Sequence, residues 1–501
     1  MSTIKKFAGQ TAIYGVSTIF SRLLNFILTP LYTSVFSPAV YGIFTKMYSW
    51  ASILNAVLAF GMETTFFRYV NKHEKEKDKV YGNTFVIILL AALVFFLFTI
   101  FFVDDIASWM NNDSAIARDY ALYVKYFIYI LIADALAVIP FAKVRADGRP
   151  IRFGVIKLLN ILSFMGLNIL FLILIPIILK NNWYGSDFIE SWYKPEWLGY
   201  VFIANLIASV ITLFLLIPEF LQLKLRLDIA LAKDMLLYSF PILIANISFI
   251  INENVDKIFM GHLLPEATAE QQVGIYAACA KIAIFLNIFV QAFRLGAEPF
   301  FFSHAKSKNA GATYARIMNY FVIVVCVIFV ALVANIEILK YFIGTKGTEA
   351  EQELYWSGLK VVPILLFGYV SLGIYMNLSI WYKLSDQTRF GLYISGIGAL
   401  LTIILNFIFI PQYSYMAAAW VSLTAYATMM ILSYILGQKN YPIPYNLRKN
   451  LAYLVSSIVL VVLMFLVFNR NLIIGNLILI LYLLAIFFAE KKELKLLFKA
   501  K

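Results

Sequence analysis

The chain has little of what a soluble enzyme needs. Charged residues make up only 14% of its 501 residues, and there are two cysteines and three histidines. Cys279 and Cys326 both fall inside apolar runs on either side of an expected cytoplasmic loop, which excludes a disulfide-stapled scaffold and leaves them as packing residues. His73, His262 and His304 sit at the edges of apolar runs, and neither Gly-x-x-x-x-Gly-Lys-Ser/Thr nor His-Glu-x-x-His occurs. No metal site or cofactor is expected, and no catalytic residue is assigned.

What is present is apolar: 62% of the chain is hydrophobic, more surface than one soluble core can hide. The expected fold is an all-α polytopic membrane protein. About fourteen spans are expected, near 8–32, 41–67, 82–103, 120–141, 153–179, 197–221, 236–260, 274–302, 317–342, 358–382, 390–410, 413–437, 450–468 and 471–489. The first follows Lys5 and Lys6 but contains Arg22 and runs too long for a cleaved secretory signal, so it reads as a retained helix.

The formal charge of +13 is scattered along the chain, unlike the concentrated basic face of a nucleic-acid binder. With the N-terminus in the cytoplasm, 27 Lys and Arg fall inside and 5 outside, the latter being Arg118, Lys180, Lys194, Lys346 and Arg470. The charge therefore reads as membrane topology, with both termini cytoplasmic.

An ordered pattern occurs twice. Val40-Tyr41-Gly42-Ile43, Leu54-Asn55 and Gly61-Met62-Glu63-Thr64-Thr65-Phe66-Phe67 are echoed by Val273-Gly274-Ile275-Tyr276, Leu286-Asn287 and Gly296-Ala297-Glu298-Pro299-Phe300-Phe301. The offset is 232 for the first parts and 235 for the last. This predicts two parallel six-helix lobes, 1–222 and 223–438, followed by a helix pair and basic tail over 439–501. Such repeats place a transporter's substrate between halves that rock in alternating access.

Polar residues inside the spans mark the candidate site. In helix one, Tyr14, Thr18, Ser21, Arg22, Asn25 and Thr29 share an arc of roughly 100°, and in helix eight Asn287, Gln291, Arg294 and Glu298 share roughly 60°. An Arg at mid-bilayer costs about 2.5–3.5 kcal/mol on insertion scales and should face protein or water. Arg22, Asn25, Arg294, Gln291, Asn287, Lys281 and Lys157 are the candidate substrate contacts, cationic anchors among amides that suit phosphate and sugar. Glu63, Asp134, Glu253, Asp256, Lys257 and Glu298 are candidates for ion coupling or charge pairing. Two pairings are expected from spacing: Glu253 with Lys257, and Arg294 with Glu298 one turn away. The last two helices, almost wholly Leu, Ile, Val and Phe, are expected to pack or meet lipid.

The chain resembles the Wzx-type polysaccharide-biosynthesis flippases of the multidrug/oligosaccharidyl-lipid/polysaccharide exporter superfamily. The segments that carry the likeness are Tyr14-Gly15, Ser21-Arg22-Leu23-Leu24-Asn25, Pro30-Leu31-Tyr32, Tyr41-Gly42-Ile43-Phe44, Arg145-Ala146-Asp147-Gly148-Arg149, Asp256-Lys257, Val273-Gly274-Ile275-Tyr276, Phe293-Arg294 and Glu298-Pro299-Phe300. The resemblance implies a V-shaped fold with a cation-lined cavity. It also implies export of undecaprenyl-pyrophosphate-linked oligosaccharide units for O-antigen, capsule or exopolysaccharide across a bacterial inner membrane, with Arg22 and Arg294 as headgroup contacts. Expected partners are the lipid-linked substrate, the bilayer, a proton or sodium ion, and polysaccharide assembly proteins. Membrane potential favours outward movement of an anionic headgroup by about 2.3 kcal/mol per charge per 100 mV, so voltage is an alternative drive. A lipid II flippase and a multidrug or cation antiporter are the alternatives within the superfamily. A membrane polymerase or ligase is the alternative from another class, and its expected large external loop is absent from this sequence.

Overall fold

Helices dominate because nearly every long segment is apolar and, within lipid, a helix satisfies its own backbone hydrogen bonds. The computed structural model describes residues 23–24, 26–110, 117–305, 307, 309–344, 348–385 and 387–499. Among the described residues every regular element is helical, and eleven helical stretches are long and apolar enough to cross a membrane. The stretch Arg389–Asn440 holds two helices that meet at Ser414, where φ 50° and ψ −137° leave the helical region. Phe26–Val35 and Gly199–Leu215 are shorter apolar helices. Fourteen crossings follow if both short helices also cross. Large apolar side chains such as Phe98, Leu466 and Ile473 are exposed along the spans, which makes this a multi-pass membrane protein with lipid as the solvent of its flanks.

Several elements differ from the hydropathy reading. The expected second span is two helices, Pro38–Ala59 and Met62–Lys72, because Phe60 and Gly61 take positive φ values of 46° and 67°. Gly61 also lies close to the Ser239 carbonyl and the Ile242 side chain, so a Cβ there would be tight as well as strained by the positive φ. The expected outer loop after helix seven is almost absent, since Ile229–Leu263 and Glu266–His304 are separated only by Leu264 and Pro265. At 1.5 Å per residue these helices run roughly 50 and 60 Å, well beyond a hydrocarbon core of about 30 Å. Hydropathy locates the most apolar part of each helix and misses its continuation at the ends.

Contacts divide the chain into two compact units, Met1–Gly274 and Ile275–Lys501. In the first, Gly199–Leu215 packs on Ala117–Ala146 and Pro150–Ile169, and Ile229–Leu263 packs on Pro38–Ala59. Packing thus groups the seventh helix with earlier ones, whereas the repeat pattern begins a new set there. Tyr48, Tyr123, Phe127 and Phe202 form an aromatic core with ring centroids 4.8–5.1 Å apart for the Tyr48–Phe127, Tyr123–Phe202 and Phe127–Phe202 pairs.

The turn Arg145-Ala146-Asp147-Gly148-Arg149 is explained by charge and chirality together. Gly148 takes φ 67°, and Asp147 accepts from Lys143 at 2.6 Å and Arg149 at 2.7 Å. Arg149 and Arg152 also reach the fully buried Glu219, at 3.0 and 2.8 Å.

In the second unit, Val362–Leu378 packs on Arg389–Asn440, and Ala310–Ala334 packs on Val362–Leu378, Leu447–Val462 and Leu472–Lys499. The final helix pair is fastened by polar groups inside an apolar surround. Asn335 and Asn476 exchange amide hydrogen bonds of 3.3 and 3.1 Å, and buried Glu490 accepts from Lys449 at 2.7 Å and Tyr453 at 2.6 Å. Cys279 and Cys326 are buried free thiols.

Candidate functional site

Within the second unit, the polar face of Glu266–His304 meets the helices Val362–Leu378 and Ile380–Leu384 at a small cavity. Arg294, Glu298, Asn377 and Lys383 line it, with Phe293 and Gly373 among its apolar walls. Its volume is about 20 Å³, room for about one water and not for a sugar. The cavity is a contact point rather than a chamber.

The charges there are not arranged as spacing suggests. Glu298 takes the ammonium of Lys383, which replaces the expected pairing with Arg294 one turn away. Arg294 forms no ion pair among the described residues, and its buried Nε has no acceptor. The Asn377 Nδ2, also buried, lacks one as well. The unmet Nε of the Arg294 guanidinium and the unmet Asn377 amide thus put two donors together inside an apolar span, a grouping whose chemistry suits an anion. Further along the same helix Gln291 donates to Asn287 at 3.5 Å, so these two amides bond each other. Lys281 does not line the cavity.

The first unit holds the remaining candidates in smaller groups. Glu63 pairs with Arg145, whose guanidinium lies over Phe67 and Phe153 at 5.0 and 5.8 Å from the ring centroids. Lys157 lies over Phe141 at 5.1 Å and over that same Phe153 at 6.0 Å, and forms no ion pair among the described residues. Asp134 accepts a 2.8 Å hydrogen bond from Ser209 and likewise forms no ion pair among them. Lys257 reaches the Asp256 carboxylate at 2.8 Å and the main-chain oxygen of Glu253 at 2.7 Å. Arg22 and Asn25, and with them the polar face of helix one as far as Ser21, lie outside the described residues.

The repeat survives in these pairings. Glu63 and Glu298, equivalent at the offset of 235, each bind a base contributed by a distant helix, Arg145 and Lys383. It also survives in a close helix contact within the first unit. A Cβ at Gly42 would overlap the carbonyl oxygen of Glu270, and one at Gly274 would overlap that of Pro38. Both glycines and both carbonyl residues are related by the same 232-residue offset, so the contact is reciprocal. Lys46 is fully buried one turn further on, paired with Glu270 and bonded to the Met110 carbonyl at 2.9 Å, while Tyr120 donates to Glu270 at 3.1 Å.

Sequence reasoning missed Lys383, Asn377 and Glu270. The signal that could have found Lys383 is that it and Arg145 both close apolar spans followed by a polar turn. Nothing local marks Asn377 or Glu270.

The sequence matches the family model described as "Polysaccharide biosynthesis protein" over residues 7–303, more than half of the chain, and the one described as "MatE" over 241–408. Comparison with curated protein sequences found no match. Among solved structures the chain is similar to the "Lipid II flippase MurJ, inward closed conformation", with TM-score 0.72 at 16% identity over 96% of this chain and 100% of that one. It is also similar to an inward-facing multidrug resistance MATE family transporter, with TM-score 0.64 at 14% identity over 84% and 94%. The Vibrio cholerae MATE transporter VcmN in the bent form gives 0.55 at 13% over 90% and 100%. These relatives share a fold, and the matching families and structures are transporters and flippases rather than enzymes. The chain belongs to the polysaccharide biosynthesis protein family.

Proposed function

We propose that the protein flips undecaprenyl-pyrophosphate-linked oligosaccharide repeat units from the cytoplasmic to the outer leaflet of a bacterial inner membrane. The observation that carries this reading is Arg294: a guanidinium in a span with no acid partner among the described residues, an unmet Nε, and the unmet Asn377 amide beside it. A pyrophosphate supplies the missing acceptors, and a fork of donors matches its oxygens. Arg22, Asn25, Asn287, Gln291, Lys281 and Lys157 serve as further contacts along the path. Asp134, held by one hydroxyl, is the favoured proton or sodium site, with Asp256, Glu253, Glu63 and Glu298 already engaged in local contacts.

Alternating access uses the two sets of repeats, 1–222 and 223–438, with the Gly42–Gly274 contact and the Lys46–Glu270 pair as the outer closure. Both termini are cytoplasmic in this scheme, and polysaccharide assembly proteins receive the product. Liposomes holding the purified protein and a fluorescent polyprenyl-pyrophosphate glycan test it. Wild type flips the glycan, and Arg294→Ala slows flipping about tenfold to a hundredfold, the loss of a charged hydrogen-bond pair. Equal glycan flipping by both proteins, or transport of organic cations alone, rejects the reading. Lipid II as cargo is the second reading, supported by the near full-length similarity to the flippase of that name.

A further inference from the structure

Away from the charged spans, the first unit carries a second cleft of about 420 Å³, within the usual range for small-ligand sites. Tyr126, Phe171, Trp192, Trp197 and Tyr200 form most of its lining, with Lys194 as its cation. It lies at the 181–198 connection, which the charge asymmetry of the sequence assigns to the outer face.

The wall is built before any ligand arrives. Tyr200 stacks on Phe171 at 4.9 Å and on Tyr193 at 5.1 Å, with interplanar angles of 14° and 7°, and Trp197 meets Tyr200 edge-on at 5.0 Å. Tyr193 donates to the Phe171 carbonyl at 2.8 Å, and the Lys194 backbone N–H donates to the Tyr200 hydroxyl at 2.9 Å. A Cβ at Gly199 would overlap the Trp197 indole, so the glycine lets that ring lie against the start of its helix. Trp192 is exposed, and the Lys194 ammonium, also exposed, sits 5.4 Å from the Trp197 ring.

Aromatic residues at a membrane interface commonly act singly as anchors. Rings locked to one another by stacking and by hydrogen bonds around an open cleft instead present fixed apolar faces with polar rims. That is complementary to a pyranose, which has an apolar C–H face and a hydroxyl edge. The ammonium adds a contact for an acidic sugar.

We propose that this cleft is a carbohydrate subsite on the exit side, holding terminal sugar rings of the glycan once it has crossed. The proposal rests on the glycan-cargo reading above. It is tested with the full-length protein in phosphatidylcholine nanodiscs, titrated with chitotriose as a neutral probe and trigalacturonate as an acidic one, and followed by saturation-transfer NMR.

At least one probe binds below about 10 mM, Trp192→Ala weakens that binding about tenfold, and Lys194→Ala weakens only trigalacturonate. Trp192 is exposed, so its loss leaves the core intact, and an unchanged melting curve verifies this. Absence of binding by both probes, binding indifferent to Trp192→Ala, or competition from glycerophosphocholine without saccharide binding overturns the proposal. Flipping of lipid-linked glycan is measured with the same protein preparations in liposomes. No flipping with saccharide binding that depends on Trp192 rejects the cargo reading and leaves a sugar site; flipping with binding that ignores Trp192 rejects the subsite alone.

Discussion

A guanidinium inside a bilayer is tolerated beside an acid, water or an anionic guest, and Arg294 has no acid partner among the described residues. Arg294→Lys keeps the charge and loses the planar fork, so glycan flipping in liposomes is expected between wild type and Arg294→Ala; a rate equal to wild type shows that charge alone suffices. Periodicity in the sequence was enough to find Arg294. Its lack of an acid was not legible, because Glu298, the obvious neighbour, is taken by a lysine 85 residues further on.

Glu219 is the opposite case: no sequence feature singles it out, yet it is fully buried under Arg149 and Arg152. Glu219→Gln leaves Arg152 without its carboxylate and Arg149 with Asp147 alone. Breaking a buried pair costs about 3–5 kcal/mol, and partners about a third exposed bring the expected loss to the low end, measurable as a fall in thermal stability in detergent.

Helix ends and breaks are where local chemistry decides. Asp228 caps Ile229–Leu263 by accepting from the Leu231 N–H at 3.0 Å, and the Lys79 ammonium at 2.8 Å, with that N–H, holds its carboxyl below the usual carboxylate range. Because the folded-state value is depressed, this contribution is fully present above the ordinary value of about 4 and is lost as pH falls through the lower folded value. Asp228→Ala is therefore expected to quicken amide exchange at Leu231 and Ala232 at neutral pH, with the difference from wild type shrinking in acid. No difference at neutral pH removes the cap from the account.

At the other end of the chain, Asn335 and Asn476 should couple by about 0.6 kcal/mol in a double-mutant cycle, the mean for hydrogen bonds between membrane helices. The existence of these helices was legible from hydropathy. The break at Phe60–Gly61 was not, since it needs a positive φ that composition does not announce, whereas the break at Ser414 falls beside the expected boundary between the spans 390–410 and 413–437.

At the scale of the molecule, the reciprocal glycine contact gives the repeat a physical use. A substitution Gly42→Val drives a side chain into the Glu270 carbonyl and should weaken the contact by about 1–3 kcal/mol. If this contact is the outer closure, Gly42→Val shifts the population of conformers, read as faster labelling of a cysteine placed at Lys46. A short bifunctional thiol reagent joining Lys46→Cys to Glu270→Cys should arrest glycan flipping, with recovery when a cleavable reagent is cut. Unimpaired flipping in the fully cross-linked protein excludes opening at this point.

By itself the sequence determined that lipid is the solvent, that helices are the elements, that the chain repeats at an offset near 232, and that Arg294 lies on a polar face. Each follows from hydrophobicity, period or order, which are properties of neighbours along the chain. Only the tertiary structure decided that Glu298 belongs to Lys383, that Gly42 and Gly274 meet, and that seven side chains close around an aromatic cleft. The reason is that charge satisfaction and close packing are settled between residues brought together from distant segments, where spacing along the chain carries no information.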